Sequence, residues 1–119
     1  MQLHHKTPCN ECPWRKDSPP GWLGGFTPEF YADAVQMNEA PACHLRDHGP
    51  DDDDTAFCVG ALSVMANQCI LPDRSPGAPE ARNIIGRRDD TFGHVMLFYK
   101  HHAGKDYVHP FARRGMGIA

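Results

Sequence analysis

Cys9-Asn10-Glu11-Cys12-Pro13-Trp14-Arg15 is the stretch on which the reading of this 119-residue chain turns. Two cysteines separated by two residues can aim both sulfurs at one ion, because the short loop between them folds back on itself. That supplies half of a metal site. The next two cysteines along the chain, Cys43 and Cys58, are the natural candidates for the other half. Thiolates are soft donors, and four of them suit tetrahedral zinc or, as the alternative, an iron–sulfur cluster.

Competing readings attach to each of these residues. Cys43 and Cys58 can be small buried hydrophobes, and Cys9 with Cys12 can form a redox disulfide. The disulfide reading lacks the strand-then-helix setting of thioredoxin-like motifs. His44 is a substitute ligand, but adjacent residues rarely both reach one ion, which favours Cys43. Trp14 is expected to cover the metal loop. Arg15 is expected to donate hydrogen bonds to its sulfurs or to backbone carbonyls and so offset the site's negative charge. Arg15 and Lys16 can alternatively contact a phosphate or a partner. The fifth cysteine, Cys69, is expected to pack in the core.

Composition sets the frame. A chain of this length forms one domain with a modest core. Its hydrophobic share is 40%, and its 11 Gly and 11 Pro imply long irregular connections. Such a domain gains from a cross-link, and a metal ion supplies one. The formal net charge of −3 argues against sequence-independent nucleic-acid binding. Arg87, Arg88, Arg113 and Arg114 are the residues that would carry it. No apolar run approaches the roughly 18 residues needed to span a bilayer. Met1 to Lys6 lacks a signal-peptide core. The expectation is a cytoplasmic protein, where cysteines read as metal ligands more readily than as disulfides.

Along the chain, residues 1 to 8 read as a solvated lead-in. A first helix should start at Thr27, with Thr27 as N-cap and Pro28 in the first turn, and stop before Pro41. Phe30, Ala34, Val35 and Met37 are its expected apolar face. The acidic run Asp51 to Asp54 lacks the spacing and glycine of a calcium loop and reads as a solvated loop. A second helix is expected from Ala61 to Cys69, a short one over Pro79 to Ile85, and a third main helix from about Phe92 to Ala103. The last of these is β-prone enough to leave a strand open as the alternative. The fold class expected is a small mixed α+β domain, mainly helical and loop-rich, organised around one four-cysteine metal site. It comprises a metal-site core at 7–69 and a C-terminal extension at 73–119.

Cys9-x-x-Cys12-Pro13-Trp14-Arg15, Cys43-His44 and Phe57-Cys58-x-Gly60 together resemble a family of small cysteine-rich bacterial and phage proteins of unknown function. Its pattern is C-x-x-C-P-[WY]-R, then C-H, then C-x-G. The resemblance spans about residues 7 to 69 and implies that Cys9, Cys12, Cys43 and Cys58 form one site. It brings no activity with it. Two departures are the long acidic loop and Val59, where a small residue is expected.

The expected function is therefore a structural-zinc module of phage or bacterial origin that binds a protein partner. Redox sensing or electron transfer by an iron–sulfur cluster is the alternative. A hydrolase built on His44, His48 and the Asp51–Asp54 carboxylates ranks below both, because nothing in the sequence fixes a catalytic geometry. Trp22, Phe26 and the basic Arg113-Arg114 tail are the expected partner contacts.

Overall fold

The computed structural model describes residues 1–104 except Gly24, His44, Arg46, Pro50 and Asp51. Helix α1 spans Pro28–Gln36, α2 Val59–Asn67, α3 Ala78–Ile85 and α4 Val95–Ala103. The start of α1 follows from local chemistry. Thr27 Oγ1 accepts the Phe30 N–H, a proline occupies the first turn, and Glu29 sits at the positive helix end. The buried face of α1 is Tyr31, Ala32 and Val35, whereas Phe30 and Met37 lie on the surface. The apolar face is thus rotated from the one expected, because Tyr31 contributes more buried area than the exposed phenylalanine beside it.

Helix α2 is buried along its whole first two turns, from Val59 to Met65, and α3 packs on it. It ends two residues earlier than its apolar spacing implies. Cys69 has a left-handed backbone (φ 59°) and is exposed, so it is not a core residue. Helix α4 packs on α1 and begins at His94, whose Nδ1 accepts the Met96 N–H. The segment before α4 is clamped by α2. Asn67 donates to the carbonyls of Arg88 and Phe92 and accepts the Arg88 N–H.

The mixed α+β expectation is overturned. Among the described residues there is no named strand, only the isolated bridges Gln2–Ala56, Arg15–Thr91 and Ala42–Phe57. The fold is also not organised around a preassembled metal site. No group of three or more His, Cys, Asp or Glu side chains among the described residues is placed to hold a metal ion. What organises it is an aromatic core. Trp14, 0% exposed, stacks on Phe98 with ring centroids 3.8 Å apart, and Tyr31 meets both rings edge-on. Leu23, Val35, Val64, Met65, Phe92 and Val95 close around them. Stacked and edge-on aromatic pairs add attraction beyond the area they bury, which suits a small domain with few large side chains.

The N-terminus is not a free lead-in. Gln2 donates to the Thr55 carbonyl and accepts from Phe57 N–H, both at 2.9 Å, and His4 contacts the Asp53 carbonyl. These bonds and the Ala42–Phe57 bridge hold three chain segments side by side. The four helices include none long and apolar enough to cross a membrane.

Candidate functional site

The knuckle from Cys9 to Cys12 closes with a bond from Cys12 N–H to the Cys9 carbonyl, and Arg15 N–H then bonds the Cys12 carbonyl. The loop after it is fastened to the end of α4 by two histidines. His102 accepts the Gly21 N–H at Nδ1 (3.0 Å), which leaves Nε2–H to donate to the Pro13 carbonyl at 2.7 Å. His101 Nε2 lies 2.7 Å from the Ser18 carbonyl. Burial lowers the His102 pKa and the nearby His101 adds to that, against a smaller opposing effect of the Pro13 carbonyl. A neutral ring of one fixed tautomer satisfies both partners.

Cys43 and Cys58 are brought together by backbone pairing. Cys43 N–H bonds the Ala56 carbonyl at 2.8 Å, and Cys58 N–H bonds the Pro41 carbonyl at 3.1 Å. Cys58 is also the N-cap of α2, its sulfur accepting the Ala61 N–H at 3.4 Å. Cys9, Cys12, Cys43 and Cys58 all line one small recess, together with His5, Thr7, Pro8 and the start of α2. Its free volume is about 10 Å³, on the order of a single water molecule.

Backbone amides favour negative charge at these sulfurs, but on balance only Cys12 is held down. Cys12 is held below the usual thiol range chiefly by a hydrogen bond from the Cys58 thiol, with the Trp14 and Gly60 N–H groups and the Arg15 charge assisting against burial. Cys58 is pushed up in turn, because its proton serves Cys12 and the site is buried. Burial raises Cys9, opposed by the Glu11 N–H, while charge at Cys12 and Cys43 adds to the rise. Backbone N–H groups thus reach three of the sulfurs: Glu11 to Cys9, Trp14 and Gly60 to Cys12, and Ala61 to Cys58.

Gly60 is what lets this approach happen. A Cβ added there would overlap Cys12 Sγ and lie 2.7 Å from Trp14 Cβ, closer than real side chains come. The glycine of the Cys-x-Gly pattern therefore serves close packing between the knuckle and α2, a role its spacing alone did not disclose.

Other sequence-based assignments fare differently. Trp14 does not line the recess: its Cβ lies close to Gly60, and its ring belongs to the core. Arg15 does not bond a sulfur: Nε and Nη2 bind Asp17 at 3.0 and 3.2 Å, so the knuckle feels only its field. His44, Asp51, Arg113 and Arg114 lie outside the described residues. Asp52 accepts the Asp54 N–H, a local turn within the acidic loop. No family model, curated protein or solved structure matches the chain.

Proposed function

We propose that the protein is a small zinc-binding module whose four cysteines, Cys9, Cys12, Cys43 and Cys58, capture one ion, and that it serves by binding a protein partner. The observation that carries this is the convergence of those cysteines on one ion-sized recess, with backbone N–H groups directed at the sulfurs of Cys9, Cys12 and Cys58. Amide bonds to sulfur stabilise thiolates and lower the excess charge of a four-thiolate site. Soft sulfur donors select zinc over hard cations. The thiols must draw together for an ion to be held.

The partner-binding half of the proposal rests on surface aromatics. Trp22, Phe26 and Phe30 are exposed large hydrophobics, the residue class that most often anchors interfaces. A reducing cytoplasm would keep such thiols available. Elemental analysis of protein purified without added metal tests the zinc assignment. About one zinc per chain is expected, falling to a small fraction in Cys43→Ser. Iron with broad visible absorption would transfer the assignment to a cluster.

A further inference from the structure

A second concavity lies on the far side of the Pro41-Ala42 segment that leads into Cys43. Its floor is Tyr31, Ala34 and Ala40 to Ala42, its wall is Phe26 with Phe30, and Glu39 and Asp47 stand on its rim. Phe26 and Phe30 stack at 4.9 Å between centroids and meet Tyr31 edge-on, giving a continuous aromatic surface. They remain 39% and 53% exposed, although a core that needed them would have covered them. The cavity is about 190 Å³, below the roughly 300 Å³ at which cofactor and drug-sized pockets begin. One long side chain fits it better than a cofactor.

Charge decides which side chain. Two carboxylates line the groove, no described lysine or arginine does, and neither carboxylate is ion-paired to a described cation. Aromatic faces beside carboxylates are the surroundings that attract a cation twice, through the ring quadrupole and through direct charge. A guanidinium gains most, because its plane stacks on a ring while its edge donates to a carboxylate.

We propose that this groove receives an arginine side chain from a basic, extended segment of a protein partner. The proposal rests on the interaction-module reading and names the chemistry of that partner. Because Pro41 and Ala42 form its floor and Cys43 follows them directly, bracing Cys43 also steadies the groove.

The test is an NMR titration of the isotope-labelled full chain, its zinc content measured beforehand, with a short Gly/Ser peptide carrying one central arginine. A peptide with glutamine in that place is the control. Saturable shifts at the amides of Phe26, Phe30, Ala40 and Ala42 are expected for the arginine peptide and none for the control. Phe30→Ala, Glu39→Gln and Asp47→Asn should each weaken binding about two- to fivefold. All three residues are at the surface, so the spectra should otherwise match wild type. Equal shifts with the glutamine peptide, shifts confined to Asp52 to Asp54, or none at all would overturn the proposal. So would concentration-dependent shifts without peptide that Phe30→Ala abolishes, which would assign the groove to a second copy of this chain. A zinc-loaded chain that ignores the arginine peptide sinks the groove alone. A chain without zinc that binds it upholds the groove and sinks the metal assignment.

Discussion

Cys12 and Trp14 are two residues apart in one buried cluster, yet they meet different neighbours. Cys12 looks into a recess of sulfur and backbone amides, whereas the Trp14 ring lies flat on Phe98 among aromatic and aliphatic side chains. Trp14 Nε1 is buried there with no hydrogen-bond partner among the described residues. In the recess, Cys12 and Cys58 share a hydrogen bond, and negative charge at Cys12 and Cys43 opposes charge on Cys9. The lesson is that a cysteine pattern can mark a site without marking the centre of the fold.

The largest expected effect separates the two regions from the core side. Phe98→Ala removes the ring that stacks on Trp14 and should cost about 3–5 kcal/mol in urea unfolding. Chain that still folds should hold as much zinc as wild type. Loss of zinc in the folded fraction would show that core and recess are one unit.

Gly60→Ala acts on the seam between them. The new methyl group must displace Cys12 or lift α2 from Trp14, and overpacking of this kind costs about 1–3 kcal/mol. Zinc content should fall with it. A variant that keeps full zinc and full stability would mean that the recess is looser than the structure shows.

Thr27→Ala is the control far from the sulfurs. Losing the bond from Phe30 N–H to Thr27 Oγ1 should cost about 1 kcal/mol and leave zinc unchanged.

A smaller effect is expected from pH, through His102. Its pKa in the folded chain lies below the ordinary histidine value of about 6.5 in an unfolded chain. The unfolded chain therefore takes up more protons as pH falls, so this contribution is full above about pH 6.5 and is lost as pH falls through the folded value. Urea midpoints of the chelated chain should drop between pH 7.5 and 5, and drop less in His102→Gln. Equal drops would remove His102 from the account.

Much of this was readable in the sequence where local chemistry decides. Thr27-Pro28-Glu29 announced α1, and Gly104 follows the end of α4 at φ 63°, as a helix-terminating glycine should. The cysteine pattern named the residues that share the recess. What stayed hidden depended on long-range partners. Nothing near Trp14 in the sequence foretells Phe98, 84 positions later, or the bonds that bind His102 to Pro13 and Gly21. Arg15 was drawn to Asp17 rather than to sulfur, since a carboxylate two residues away outcompetes a buried thiol for a guanidinium. Cys69 followed the apolar spacing of α2 but fell beyond its last turn.

The central proposal is that the four thiols hold one zinc ion beside the aromatic core. Zinc-edge X-ray absorption on the purified chain, paired with tryptophan fluorescence before and after chelation, tests it most directly. The account predicts about four sulfur neighbours near 2.3 Å, and Trp14 emission that stays that of a buried indole once the metal is removed. Nitrogen and oxygen neighbours in place of sulfur, or a chain that takes up no zinc at all, would contradict it.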